Sequence, residues 1–526
     1  MGRARVKPLA CRRCAITLFA MVANRRVVAG DKLSLAAVWL IGVSLLAAPA
    51  GRASTPSRTG GGADAVSVLR RVTSQIIATG VRLGFHAVDL NTGQTIWQHQ
   101  ADELLIPASN VKLAVTTAAL ARLGKDFEFR TQFIRWGANL AVVGGGDPAI
   151  GDPRICDARD EQITDVFERW AVAARSRALT SVKGDLLIDD TLFEAQRVHP
   201  RWAGQQYAAW YRAPVGGLNF NDNCIDVEVW PAGKLGAPAV FRLIPPAPHV
   251  QVTNKCTTSK RNKPVVWRAP DEDRLVISGR CSRRCRIAPA AVVDPGLLFG
   301  WACHTVLGSN GVEIAGTVRR QRLRRSDGSL PEGAELIAEQ RTSLPVVLRR
   351  CNKRSQNLFA ECLLKTLGLH LRGEGSWQAG VDAVTDFLRD EGIRSDRFRL
   401  DDGSGLSLDN RMSARALTDV LTWVWRHPDG QLLVATLPEA GIDGSLKTRL
   451  RDPELRGKIR AKTGSLNGVR ALSGYADAPD GTIAFSILFN DIGRHGKKVV
   501  AAERRLCRAL LEWDSTIVGS TRDTGP

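Results

Sequence analysis

The sequence predicts an α+β protein: an antiparallel sheet with helices on its faces, carrying a long inserted region that forms one or two smaller domains. Two observations point there. Strand-like runs joined by tight-turn residues occur near both ends of the chain, each flanked by a helical stripe. Between them, from about Phe127 to Leu336, the texture changes to short strand-like runs with many Gly and Pro residues and most of the cysteines. A structureless loop of that length is improbable, so the segment is read as inserted domains.

The first element is a leader. Residues 1–60 hold ten Lys or Arg and a single acid, Asp31, a local charge of +9 within a net charge of +20. Arg12, Arg13, Arg25, Arg26 and Lys32 precede a 14-residue apolar run, Leu35 to Ala48, and then the small-residue sites Ala48-Pro49-Ala50 and Gly51-Arg52-Ala53. Basic region, apolar run and small-residue site in that order predict a secretory signal over residues 1–53, with Met21 as an alternative start. An apolar run of 14 is shorter than the ~18 residues of a spanning helix, so membrane association is expected only through the leader before cleavage. Export places the mature protein outside the cytoplasm, where disulfides persist. Cys11 and Cys14 leave with the leader. Of the other nine cysteines, Cys256, Cys281 and Cys285 are close enough in sequence for one bridge, and an odd count leaves a thiol over.

After a polar, glycine-rich linker over residues 54–64, Val66, Leu69, Val72, Ile76 and Ile77 form a helical stripe ending at Gly80. Val81 to Gln98 alternates around Asn91-Thr92-Gly93, a β-hairpin. A helix follows from about Asn110 to Leu123, stopped by Gly124. Towards the other end, Lys458–Leu466, Val469–Tyr475 and Thr482–Asn490 are strand-like, joined by turns at Asn467-Gly468 and Pro479-Asp480-Gly481. A last helix runs from Val499 to Trp513. Domain boundaries follow: a main module of residues 65–126 plus 337–513, an insertion of 127–336, and a tail of 514–526.

The remaining charge of +11 suits a polyanionic neighbour. Nucleic acid is disfavoured, because no basic run interleaves with aromatics and no zinc-finger spacing occurs. The eight histidines are scattered without H-E-x-x-H, and no G-x-S-x-G elbow is present, which argues against a zincin and an α/β-hydrolase.

Three short motifs carry the chemistry. Ser109-Asn110-Val111-Lys112 sits at a helix start, with Ser109 and Lys112 one turn apart on one face. The helix dipole there favours negative charge on the serine oxygen, and a lysine with a depressed pKa can take its proton. Ser355-Gln356-Asn357 precedes a helical run through Leu367; its hydroxyl can relay a proton and its amide can hold a peptide carbonyl. Lys462-Thr463-Gly464-Ser465 lies on a strand, where a lysine and two hydroxyls can bind a carboxylate and Gly464 permits close backbone approach. Each alone has a plain reading: a solvated helix lysine, a capping pair, an edge-strand lysine. Their joint order and context resemble the signature set of penicillin-binding proteins and serine β-lactamases.

The resemblance narrows to the D-alanyl-D-alanine carboxypeptidase/endopeptidase family of penicillin-binding proteins, the branch with a long insertion after the first motif. Gly144-Gly145-Gly146-Asp147-Pro148, the Ala213 to Asn221 stretch, Asp402-Gly-Ser-Gly-Leu-Ser407 and Gly441-Ile-Asp-Gly-Ser-Leu446 support it. Ser465 stands where many members have Thr. The resemblance implies a penicillin-binding, β-lactamase-like catalytic domain acting on peptidoglycan stem peptides, with β-lactams as covalent inhibitors and no cofactor or metal. It casts Ser109 as nucleophile, Lys112 as general base and Ser355 as proton shuttle. Asn357, Lys462, Thr463, Gly464 and Ser465 would bind substrate. A β-lactamase is disfavoured by the long insertion and the lack of an E-x-x-L-N segment. A catalytically silent wall-binding protein is disfavoured by the intact Ser109, Lys112, Ser355 and Lys462.

Overall fold

The computed structural model describes residues 61–514 except Ala203 and Gln205; the expected leader, most of the linker and nearly all of the tail lie outside the described residues. Helix α1 (Gly61–Ile77) buries Ala65, Leu69, Val72 and Ile76, whereas Ile77 at the end of the stripe is 38% exposed. The hairpin strands β1 (Arg82–Asp89) and β2 (Thr95–His99) form with the turn where expected. The Asp89 side chain accepts from the Asn91 N–H at 2.8 Å, and Gly93 takes the positive φ of 73° that closes the turn. Helix α2 (Val111–Leu123) ends at Gly124, whose φ of 81° a side chain would resist.

The chain then leaves the main module through β3 (Glu128–Trp136), which is followed by β4 (Asn139–Val143), β5 (Leu186–Asp189) and β6 (Val318–Arg320). It returns through β7 (Glu335–Ser343), paired antiparallel with β3 from Glu128↔Ser343 to Glu335↔Arg135. The two ends of the insertion are therefore adjacent strands of one five-stranded sheet, in the order β6-β5-β4-β3-β7. Two smaller four-stranded sheets lie between β5 and β6 in sequence, one built on Cys224–Trp230 and the other on Arg274–Cys281. Phe133, Trp170, Phe167, Phe220 and Phe299 share the insertion's apolar core. The nine cysteines among the described residues are free thiols.

Helices α3 (Leu344–Arg354), α4 (Asn357–Arg372), α5 (Trp377–Asp390) and α6 (Ala414–Arg426) pack around α2 in a second core that includes Val115, Phe359, Leu363 and Leu417. Burying a side chain of this size contributes about 1.5–3 kcal/mol relative to leaving it exposed. Strands β8 (Ile459–Leu466), β9 (Val469–Ala478) and β10 (Gly481–Asn490) complete the main sheet, in the order β2-β1-β10-β9-β8. Every pair is antiparallel, and β1 lies beside β10 from Arg82↔Asn490 to Asp89↔Ile483. Seven of the eight β1 residues are buried, so both faces of the sheet are covered. Helix α1 and the last helix, α7 (Gly496–Leu511), join the core on one face. Strand β8 is left at the edge.

Candidate active site

Ser109 lies in a single 3-10 turn, Ala108–Asn110, at the mouth of α2. Ala108 just before it has a φ of +46°, a left-handed conformation that costs a non-glycine residue about 1–2 kcal/mol. The turn is pinned from both sides. Asn110 Nδ2 donates to Ser473 Oγ on β9 at 2.7 Å, and Gly464 on β8 comes so close that a Cβ there would lie 2.8 Å from the Pro107 carbonyl oxygen. Gly464 is thus required by packing against the Ser109 turn.

Lys112 is fully buried. Its Nζ lies 3.0 Å from Ser109 Oγ, 2.7 Å from Asn357 Oδ1 and 2.5 Å from the Ser404 carbonyl oxygen. Burial lowers its pKa to about 8, against the partly offsetting pull of Cys351, Glu361 and Asp402. A neutral amine has two N–H donors and one lone pair. Asn357 Oδ1 and Ser404 O accept only, so they take the two hydrogens and leave the lone pair facing the Ser109 hydroxyl. That is the geometry of a general base.

The second motif departs from the capping explanation. Ser355 does not cap α4; Gln356 does, accepting from the Asn357 N–H at 3.2 Å. Ser355 instead terminates α3 in the left-handed conformation, φ 57° and ψ 40°. Its hydroxyl accepts from Lys462 Nζ at 2.8 Å, and Lys462 also donates to the Thr463 carbonyl oxygen at 2.7 Å. Lys462 is fully buried, and its pKa falls well below the usual lysine value through burial and then the neighbouring Lys112 charge. Thr463 Oγ1 is 2.7 Å from Ser445 Oγ, while Ser465 is exposed at the rim.

The edge strand is covered over its first half only. Ala440 N–H donates to the Ile459 carbonyl oxygen at 2.9 Å, and Ala461 N–H donates to the Pro438 carbonyl oxygen at 2.9 Å. Strand alternation then turns the Thr463 and Ser465 N–H groups outward along the same edge, beyond the end of that cover.

The structure brings all eight sequence-predicted residues together as two linked groups, Ser109 with Lys112 and Asn357, and Ser355 with Lys462 and the strand residues Thr463 to Ser465, joined where Gly464 packs on Pro107. It adds four to which the sequence assigned no role, Ser404, Glu361, Asp402 and Tyr211, although Asp402 and Ser404 lie in the Asp402 to Ser407 stretch named above. The Ser404 carbonyl is aimed at Lys112 by Glu361, whose oxygens accept from Ser404 N–H at 2.8 Å, Gly403 N–H at 3.0 Å and Trp377 Nε1 at 2.9 Å. Burial, then the charge of Asp402, pushes the Glu361 carboxyl up to about 7. Asp402 folds the same loop, accepting from Gly405 and Ser407 N–H groups at 2.7 Å each and from Trp202 Nε1 at 2.8 Å. Tyr211, also from the insertion, offers its carbonyl to Asn357 Nδ2 at 2.8 Å.

A family model described as the D-Ala-D-Ala carboxypeptidase 3 (S13) family matches residues 69–510. The chain is 31% identical over 464 residues to the D-alanyl-D-alanine carboxypeptidase of Actinomadura sp. strain R39, covering 82% of each chain. It is 25% identical to the D-alanyl-D-alanine carboxypeptidase DacB of Haemophilus influenzae, over 84% of this chain and 93% of that one. The crystal structure of penicillin binding protein 4 from Haemophilus influenzae superposes with a TM-score of 0.69 at 23% identity, over 86% of this chain and 99% of that one. With the family model spanning both the Ser109 turn and the last strand of the sheet, the chain belongs to the D-Ala-D-Ala carboxypeptidase 3 (S13) family of peptidases.

Proposed function

We propose that the protein is an active-site-serine D-Ala-D-Ala carboxypeptidase acting on peptidoglycan stem peptides through an acyl-enzyme on Ser109. The observation that carries this is the environment of Lys112: a buried amine with its lone pair facing Ser109 and its two hydrogens held by fixed acceptors. Lys112 takes the hydroxyl proton as Ser109 Oγ attacks the carbonyl carbon of the penultimate D-Ala. The tetrahedral oxyanion sits between the N–H groups of Ser109 and Ser465; each such donor contributes about 2.7–4 kcal/mol. Ser355, hydrogen-bonded to Lys462, relays a proton to the departing amine nitrogen. The C–N bond then breaks and D-Ala leaves.

Lys462, Thr463 and Ser465 receive the terminal carboxylate, and Asn357 holds the substrate backbone. Water attacks the ester carbon, gives its proton to Lys112 and regenerates Ser109. Penicillin enters the same steps and stays as the acyl adduct. A solved structure of the Haemophilus influenzae penicillin binding protein 4, whose fold this chain shares, holds a β-lactam. A polyanionic wall suits the basic surface, and the leader-like residues 1–53 support export. No helix among the described residues is long and apolar enough to cross a membrane.

Fluorescent penicillin tests the reading directly. The purified protein should label at one site, with the adduct on Ser109 by peptide mass spectrometry; absence of any acyl adduct would defeat it.

A further inference from the structure

Beside the site lies a cavity of about 560 Å³ that the mechanism does not use. Its walls are the C-terminal half of α3, the helix Pro153–Arg159 of the insertion, and the Asp443-Gly444 turn. Both catalytic borders adjoin it: Arg354 immediately precedes Ser355, and Gly444 immediately precedes Ser445, the partner of Thr463. The lining carries six cations against two acids.

Two of the six are satisfied within the protein. Arg350 is buried and paired with Asp152 at 2.6 Å and Asp222 at 3.0 Å, and Lys353 pairs with Asp443 at 2.5 Å. The other four, Arg154, Arg159, Arg349 and Arg354, are exposed and form no ion pair among the described residues. Arg354 is held below the usual arginine range by burial, then by repulsion from Arg154 and Arg350. Four unpaired guanidinium groups gathered in a concave site, with Asp157 as the one acid there that forms no ion pair among the described residues, raise the energy of the empty state, and an anion relieves it. A solvated basic face would spread these side chains apart, whereas here two separate segments converge them on one hollow.

We propose that this cavity binds carboxylates on the leaving-group side of the substrate, selecting peptides whose departing strand is itself acidic. The inference rests on the proposed function, because Thr463 and Lys462 define the leaving-group side. A single departing D-Ala has one carboxylate, which those residues occupy. A departing strand with further carboxylates, as in a cross-linked stem peptide, extends past Thr463 and Ser445 towards Arg354 and Arg154. Guanidinium forks suit such carboxylates through paired N–H donors. An envelope polyphosphate would be attracted by the same charge, but it has no reason to meet it at the border of the reacting centre.

The test uses the full-length protein and an Arg154→Gln/Arg349→Gln double variant, neither residue belonging to the catalytic groups. Two substrates are compared: a neutral-capped peptide ending in D-Ala-D-Ala, and a peptide dimer in which the amine released from the same D-Ala carbonyl belongs to a strand with several carboxylates. The variant should lose about tenfold in kcat/KM on the dimer, the scale of one charge-assisted hydrogen bond. Its turnover of the simple peptide and its penicillin acylation should stay within about twofold, since neither reaches the cavity. Equal losses on both substrates, or no loss on the dimer, would overturn the inference. Weakened retention on a polyphosphate resin with unchanged peptide kinetics would overturn it in favour of polymer docking. If the wild type forms no penicillin adduct, the catalytic reading fails instead. Calorimetric binding of the acidic strand, weakened in the double variant, then still decides whether the cavity takes carboxylates.

Discussion

The Tyr211 carbonyl accepts a hydrogen bond from Asn357 Nδ2 at 2.8 Å, while the Oδ1 of the same amide accepts from Lys112 at 2.7 Å. The insertion therefore orients an amide that touches Lys112, the proposed general base. Asn357→Ala removes an acceptor from a buried amine and leaves the Tyr211 carbonyl without this partner, each costing about 1–3 kcal/mol. Stopped-flow acylation by a chromogenic cephalosporin should slow at least about tenfold, with circular dichroism unchanged. Acylation at the wild-type rate would show that Asn357 does not orient Lys112.

Ser109→Ala should abolish covalent labelling completely. The substitution deletes one hydroxyl whose structural worth is a single hydrogen bond with Lys112, about 0.5–1.5 kcal/mol, so the fold survives. Mass spectrometry of the penicillin-treated variant, alongside its thermal melt, checks both halves. An adduct on another residue would reassign the nucleophile.

Acylation should rise with pH through about 8. The sign follows from the proposed role of Lys112, which as a base must be the neutral amine, and its pKa is lowered from about 10.5 to about 8. Below that value the amine is protonated and the rate falls about tenfold per pH unit. A rate that is flat from pH 6 to 9 would exclude Lys112 as the base.

Glu361→Gln should shift that limb to lower pH as well as slowing the reaction. The carboxylate charge raises the Lys112 pKa, so removing it lowers the pKa further. The slowing comes from the Ser404 and Gly403 N–H groups, which lose a charged acceptor. A purely structural role would lower the plateau and leave the midpoint in place.

Gly405→Ala should be more damaging than its distance from the motifs suggests. Gly405 has φ +78°, and a Cβ there would lie 1.9 Å from the carbonyl oxygen of Ala108, the residue before Ser109. The loop must move, and the Ser404 carbonyl moves with it. Thermal unfolding should drop by several degrees and penicillin acylation by more than about tenfold.

Much of this arrangement is legible in the chain itself. The hairpin, α2 with its Gly124 stop and the three C-terminal strands follow from alternation, helical period and turn residues. The motif residues announce themselves because their side chains do the work. What stays hidden is of a different kind. A carbonyl such as that of Ser404 or Tyr211 carries no residue identity, so nothing in the letters marks it as a ligand. Ser355 looks like a helix cap, and only the path of the chain between α3 and α4 reveals its left-handed backbone. Trp202 meets Asp402 across two hundred positions, a pairing that no local pattern encodes. The ends of the insertion are harder still, because β3 and β7 each read as an ordinary strand until they are seen side by side.

The pairing of β1 with β10, Arg82 beside Asn490, has a consequence for how the protein is made. Strand β1 lies near the start of the described chain, and its neighbour in the sheet is synthesised about 400 residues later. A nascent or truncated polypeptide lacking β10 holds Ser109, Lys112, Ser355 and Lys462 in full, yet its main sheet is split and β1 has an unpaired edge. Long-range closure of this kind is slow and must wait until β10 has been made. Catalytic competence is thus gated by the arrival of β10: a polypeptide ending before about residue 480 should bind no penicillin, however many of its motifs it retains.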